Sequence, residues 1–366
     1  MPDRFASKRQ CRCLAGGCIA LRSSESAKSL YFSDIALCWN PAKGAWTCLL
    51  SHIWLIPMEV DPTFEQASTT AKPRSDDGFE LSEMSTVSPS QFLLQQEQSE
   101  LVRHHDSSWD ACAYSRKSPA KDSPNEDAIG IFQFDANTTI FAVADGCGGM
   151  RGGEQASSIA LQMLADSIER HQDGPERLRF SIIEGIELAN AAIQDLKIGA
   201  ACTIAVIECT QGTIRPYHVG DSMILVTSNR GKVRYQSVSH SPVGFAVESG
   251  MLCANEAMHH EDRHIVSNVV GDPRMRIEMG PVLTLAPRDT VLIASDGLFD
   301  NLSVAEVVEH VRKGNLRDSV KAACELAYDR MLGIKGQPCK PDDLSVVAAR
   351  SARLRQPENP KSPDWI

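Results

Sequence analysis

Phe141-Ala142-Val143-Ala144-Asp145-Gly146-Cys147-Gly148-Gly149 is the stretch from which the rest of the chain can be read. The turn-forming Asp135-Ala136-Asn137 stands before it, and the apolar run is too short for a helix, so Thr139–Ala144 reads as a buried strand. A carboxylate at the end of such a strand is rigidly aimed. The glycine after it lets the backbone bend, so that a main-chain carbonyl can also face an ion. Acidic residues flank four other apolar runs in the same way. Asn125-Glu126-Asp127 precedes Ala128–Phe134, and Tyr217-His218-Val219 leads to Gly220-Asp221-Ser222. Val291-Leu292-Ile293-Ala294 runs into Ser295-Asp296-Gly297, and Pro341-Asp342-Asp343 stands before Leu344-Ser345-Val346-Val347. One Asp-Gly is ordinarily a turn, but acidic residues at five strand ends are poorly explained that way. Converging carboxylates repel one another and raise each other's pKa unless cations neutralise them. Oxygen-only ligand sets favour Mg²⁺ or Mn²⁺ over zinc.

Around these runs the pattern is α+β. Ala156, Ile159, Met163 and Ile168 recur at near-helical spacing, and Leu178, Ile182, Ile186, Ala189, Ile193 and Leu196 mark a second amphipathic helix. Strand-like runs follow at Cys202–Cys209, Thr213–Val219, Met223–Thr227 and Lys232–Val238, the last two flanking the hairpin signal Asn229-Arg230-Gly231. Ser303-Val304-Ala305-Glu306 is a capping box, and a helix is expected from about Arg317 to Leu332 before a terminal strand Leu344–Ala349. Strands grouped together, with helices between the groups, indicate layers rather than alternating βαβ units.

The chain has 366 residues, with 37 Lys+Arg against 47 Asp+Glu and 42% hydrophobic residues, an ordinary globular composition. Its net charge of −10 argues against general nucleic-acid binding. The average hides two unlike pieces. Residues 1–57 hold five of the twelve cysteines (Cys11, Cys13, Cys18, Cys38, Cys48) and seven Lys/Arg against three Asp/Glu, a net +4, so the remainder carries −14. This piece shows no sustained period, no run long enough for a membrane helix and no Cys/His spacing of a zinc site. It is expected to be disordered or untranslated, with Met58 as the start. Residues 58–105 read as an acidic, Ser/Thr-rich flexible linker, 106–352 as the folded domain and 353–366 as a Pro-rich tail.

The quoted motifs, together with Gly153-Glu154-Gln155-Ala156-Ser157 and Leu298-Phe299-Asp300, resemble the metal-dependent Ser/Thr protein phosphatases of type 2C, particularly the compact bacterial form. The resemblance spans about residues 110–350 in the family's order. It implies an α-β-β-α sandwich, two antiparallel sheets flanked by helix pairs, with a two-metal site at one edge. It also implies that Asp145 bridges two Mg²⁺ or Mn²⁺ ions, that the Gly146 carbonyl completes the second site, and that Asp296 and Asp342 hold the first. Glu126 and Asp127 would hold metal-bound waters, and Asp221 with Asp296 matches a weaker third-ion position. The implied activity is hydrolysis of phosphoserine and phosphothreonine in proteins by a metal-activated water, with Asp145, Asp296 and Asp342 as the catalytic set.

Where the family usually has a phosphate-gripping Arg, four residues before the Glu of its first motif, this chain has Asp122. Lys121 beside it is the candidate substitute, binding as a point charge rather than a fork. Arg263, in the segment His259-His260-Glu261-Asp262-Arg263-His264, is a second candidate substrate contact, and those histidines are read as a solvated flap. Cys147 is not expected to be a nucleophile, and His218 is read as a satisfied core residue. The expected partner is a phosphorylated protein, with no nucleic acid and no membrane, for a monomeric, cytoplasmic enzyme. The alternatives are a catalytically weak relative that binds phosphoproteins, and a phosphatase of small phosphoesters.

Overall fold

The computed structural model describes residues 29–32, 35–40, 45–48, 91–94, 101–105, 109–147, 151–171, 174–336 and 338–352. The chain divides into two units, Met1–Phe79 and Glu80–Ile366. In the first, β1 (Ser29–Phe32), β2 (Ile35–Asn40) and β3 (Ala45–Cys48) pair as an antiparallel meander. No period is readable there because each strand is only four to six residues long.

The second unit contains two antiparallel sheets. Its strands are β4 (Gln91–Leu94), β5 (Val102–His105), β6 (Trp109–Arg116), β7 (Asp127–Asp135), β8 (Thr138–Gly146), β9 (Cys202–Thr210), β10 (Thr213–Val219), β11 (Met223–Thr227), β12 (Val233–Gln236), β13 (Glu278–Met279), β14 (Leu283–Thr284), β15 (Thr290–Ala294) and β16 (Leu344–Ser351). One sheet has the order β13-β10-β9-β8-β7-β4, with β14 also on β10, and the other runs β12-β11-β15-β16-β6-β5. Helices α1 (Gly153–Arg170) and α2 (Pro175–Asp195) cover the first sheet. Helices α5 (Asp296–Phe299), α6 (Val304–Val311) and α7 (Leu316–Met331) cover the second, α6 opening on the expected Ser303/Glu306 capping box. Short helices α3 (Pro242–Glu248) and α4 (Ala254–Ala257) and a 3₁₀ turn at Glu261–His264 lie in the segment between β12 and β13.

Alternation along each strand divides the apolar residues among three cores. In β8, Ile140, Ala142 and Ala144 face the α1/α2 layer, whereas Phe141 and Val143 face the opposite sheet. In β16, Leu344, Val346 and Ala348 face α5–α7, whereas Val347 and Ala349 face inward. The inner core adds Trp109, Ile129, Ile131, Ile207 and Ile293, all buried. Each such side chain contributes roughly 1.5–3 kcal/mol of burial. The sandwich implied by the resemblance is the fold observed.

Within residues 58–105, expected to be a flexible linker, β4 pairs with β7 and β5 with β6 at the edges of the two sheets, and the rest of the segment lies largely outside the described residues. A four-residue strand carries too little alternation to be read locally. Its partner specifies it: the exposed edge of β7 offers unpaired backbone groups, and the Phe92 ring meets Phe132 edge-on at 5.5 Å. Phe92→Ala is expected to lower the stability of the second unit by about 1–3 kcal/mol, read as an earlier urea midpoint. An unchanged midpoint would show that the strand adds nothing.

Candidate active site

The inward-facing rows of both sheets turn polar at one end. Continuing the inner parity gives Ser115 in β6, Asp127 in β7, Asp145 in β8, Thr203 in β9, Ser345 in β16 and, just beyond β15, Ser295. Register sets Asp145 between Asp127 and Thr203, and Ser345 opposite Ser115. Hydrogen bonds then stitch the two sheets together. Ser295 Oγ donates to Asp127 Oδ2 at 2.8 Å and accepts from the Ser345 amide at 3.0 Å. The hydroxyls of Ser345 and Ser115 meet at 2.8 Å, and Asn125 Nδ2 donates to Ser115 Oγ while its Oδ1 accepts from the Asp127 amide. These serines were not recognised from sequence as functional, although two of them lie inside the quoted motifs.

Asp296 begins α5 and Asp342 precedes β16, and a close approach brings the two turns together. A Cβ on Gly297 would lie 1.9 Å from the Asp343 carbonyl oxygen, so no other residue fits. Gly146 is equally constrained, since a Cβ there would lie 2.4 Å from the backbone of Gly153 at the start of α1. Asp343 itself faces away from this turn: its carboxylate accepts from the amides of Ser118 (2.8 Å) and Glu126 (2.7 Å), pinning the 118–126 loop.

The electrostatics record how closely the acids converge. Burial, then the charges of Asp127, Asp296, Asp342 and Asp221, push the Asp145 carboxyl well above the ordinary range. Burial, then Asp343, does the same to Asp127. Burial followed by Asp296 raises Asp221 to about 8, Asp342 to about 7 and Asp300 to about 6. Of the residues expected at the site, Glu126, Asp127, Asp145, Gly146, Asp221, Asp296 and Asp342 are thus brought to one edge. Asp300, not assigned a role from sequence, joins them.

Two lysines enter this cluster. Lys121 Nζ is bonded to Glu126 Oε2 at 2.8 Å and paired with Asp343, so it is engaged by carboxylates rather than held out for a substrate, while Asp122 is exposed. Lys340, which sequence reasoning missed, places Nζ 2.6 Å from Asp296 Oδ2, 2.5 Å from Asp300 Oδ2 and 3.4 Å from Asp342 Oδ2. Burial alone would depress its pKa, but those three carboxylates outweigh burial and raise it. Lys340 also lines a cleft of about 400 Å³ with Cys339 and the flap residues His259, His260, Arg263 and His264. Arg263 is near enough to lower the Asp300 pKa. The flap histidines bond locally, His259 to the Asn255 carbonyl and His264 to the Glu261 carbonyl.

His218, His240 and Glu278 also bring ligand atoms within 4.8 Å of one another. Hydrogen bonding accounts for most of this cluster. His240 Nδ1 accepts from the Gly220 amide, and its Nε2 lies 3.0 Å from Glu278 Oε2. The His218 ring stacks on His240 at 4.5 Å, and its Nε2 donates to the Val238 carbonyl at 2.9 Å. His218 Nδ1 is buried without a partner, so His218 is a core residue only half satisfied. Cys147 is pushed up to about 12 by burial and by Asp221 and Asp296, the reverse of what a thiolate nucleophile requires.

The acids fit divalent cations on three observations. They offer oxygen ligands only, and Asp127 Oδ1 is a buried carboxylate oxygen with no hydrogen-bond partner. The raised pKa values mark negative charge that Lys121 and Lys340 leave uncompensated.

Two outcomes follow from this geometry. Asp221, Asp300 and Asp342 keep protons in the folded chain that an unfolded aspartate, at about 3.8, has already lost. Their contribution is therefore fully present below pH ~4 and is lost as pH rises through about 6 to 8. In EDTA the melting temperature should fall from pH 5 to pH 8, and Mn²⁺ should restore more at pH 8 than at pH 5; a flat profile would contradict the clustering. Gly297→Ala forces the Asp296 and Asp342 turns apart and should weaken Mn²⁺ binding by roughly 10–100-fold in an EPR titration, whereas unchanged affinity would reject the need for that approach.

Known proteins are similar to this chain in sequence and in fold. The protein phosphatase 2C family matches residues 116–325, more than half of the chain. Protein phosphatase PhpP of Streptococcus pneumoniae serotype 2 is 28% identical over 195 residues, covering 51% of this chain and 78% of the relative. The serine/threonine phosphatase of S. agalactiae superposes with a TM-score of 0.58 at 25% identity, over 66% of this chain and 99% of that one. The catalytic domain of the serine threonine protein phosphatase PstP, in complex with two manganese ions, has the same fold, with a TM-score of 0.53 at 23% identity over 67% of this chain and 98% of that one. The chain belongs to the protein phosphatase 2C family.

Proposed function

We propose that this protein is a Mg²⁺- or Mn²⁺-dependent phosphatase that removes phosphate from serine and threonine side chains of proteins. The observation that carries the reading is Asp145, at the mouth between the sheets, ringed by the carboxylates of Asp127, Asp221, Asp296 and Asp342. Divalent cations held there would supply charge to offset the phosphoryl group and would acidify a water as nucleophile. Asp145, Asp296 and Asp342, with the Gly146 carbonyl, would hold these ions. Asp127, held by Ser295, and Glu126, held by Lys121, orient water at the rim. Arg263 approaches from the flap side of the 400 Å³ cleft, where a phosphorylated side chain would enter. PhpP and the S. agalactiae enzyme carry phosphatase names that agree with this reading.

Among the described residues no helix is long and apolar enough to cross a membrane. Cys112, Cys147, Cys202, Cys209, Cys253, Cys324 and Cys339 are free thiols, which suits a reducing compartment such as the cytoplasm.

One observation favours a second reading, a phosphoprotein-binding relative of low turnover. Asp122 is exposed where the family's phosphate-gripping Arg is usual, and Lys121 is tied to Glu126 and Asp343. The test is Mn²⁺-dependent hydrolysis of phosphothreonine peptides beside an aryl phosphate, with Asp145→Asn as control. The phosphatase reading expects turnover of peptides, abolished by EDTA and reduced more than ~100-fold by the substitution. Peptide binding without turnover would favour the second reading, and turnover of the aryl ester alone would favour small phosphoesters as substrates.

A further inference from the structure

Lys340 stands at an unusual place for a lysine. Its ammonium is bonded to Asp296 and Asp300 at 2.6 and 2.5 Å, with Asp342 further off at 3.4 Å. Asp221 completes the surroundings: Asp296 and Asp300 are the charges that act most on its carboxyl, and Lys340 is the cation that opposes them. The position is also built rather than incidental. Asn301, fully buried, accepts from the Lys340 amide through Oδ1 at 2.9 Å and donates to the Lys340 carbonyl through Nδ2 at 2.9 Å. The same Nδ2 reaches the Gly297 carbonyl at 2.9 Å, so the lysine backbone is fixed to the turn that carries Asp296. Pro341 follows directly and restricts the Lys340 backbone to extended conformations.

We infer that the Lys340 ammonium is a tethered cation that takes the place of the weaker third metal ion among Asp221, Asp296 and Asp300. The inference rests on the two-ion reading above and adds to it. A singly charged ammonium 2.5–2.6 Å from two carboxylates excludes a divalent ion from the same oxygens by both volume and charge. The longer distance to Asp342 leaves that carboxylate and Asp145 to the other ions. The chain would thus hold two exchangeable ions, and its third positive charge would be covalent and independent of metal concentration. Such a charge cannot be lost when free Mn²⁺ falls, so metal dependence should follow two sites only.

The test is Mn²⁺ stoichiometry of the full chain by EPR titration, a readout independent of turnover. The expectation is two ions per chain for the native protein and for Lys340→Arg, which keeps the charge, and three for Lys340→Gln. Adding Asp221→Asn to Lys340→Gln should return the count to two. Three ions in the native protein would overturn the inference while leaving the two-ion reading intact. One ion in the native protein and two in Lys340→Gln would overturn it differently, placing the ammonium at the first-ion position. No bound ion in any of these proteins would overturn the two-ion reading and this inference with it.

Discussion

Like charges gathered at the edge of a low-dielectric interior repel, and this repulsion is the constraint on which the rest of the structure depends. Burial, and then the charges of neighbouring carboxylates, raise the pKa values of Asp127, Asp145, Asp221 and Asp342, with Asp296 among the charges acting on the last three. A chain would not keep such an arrangement for stability, because unpaired buried carboxylates are costly. It requires counter-charges, which the protein supplies in part through Lys121 and Lys340 and leaves in part to divalent cations. The fold holds the carboxylates in place against their repulsion: apolar rows between the sheets lock the strands, and Ser115, Ser295 and Ser345 tie the strand ends across the gap.

The two lysines divide this compensation. Lys121 neutralises Asp343 and Glu126, which fixes the loop leading into β7 and orients Glu126 at the rim. Lys340 works on the opposite side, at Asp296 and Asp300. Neither is held out toward solvent as a phosphate grip. A candidate for that role is Arg263 on the flap side, whose guanidinium also donates to the Met258 carbonyl. Substrate recognition would then come from the flap rather than from the start of the first motif, a displacement consistent with the exposed Asp122.

Much of this was legible before the structure. Asp145, Asp296 and Asp342 stand next to short apolar runs, so rigidly aimed carboxylates are legible in the sequence, while their convergence at one edge comes with the family resemblance. What escaped notice depends on contacts distant in sequence. Lys340 reads as one charge in a Pro-rich loop, and only the clamp from Asn301, 39 residues earlier, aims it at Asp296. Ser295 and Ser345 are visible in the motifs, but the pairing of Ser345 with Ser115 joins residues 230 positions apart. Strand β4 reads as linker in the sequence because its stability comes from the edge of β7 and from Phe132. His218 reads as a satisfied core residue, yet its Nδ1 has no partner, a detail of ring orientation that no sequence pattern encodes.

The central claim is that the carboxylate cluster holds divalent ions around Asp145 while Lys340 supplies the remaining charge. The most direct measurement is anomalous scattering from crystals of the full chain grown with Mn²⁺. The account predicts manganese peaks on both sides of Asp145, one shared with Asp296 and Asp342, and the Lys340 ammonium, with no peak, against Asp300. Manganese only at His218, His240 and Glu278, or no peak beside Asp145, would contradict it.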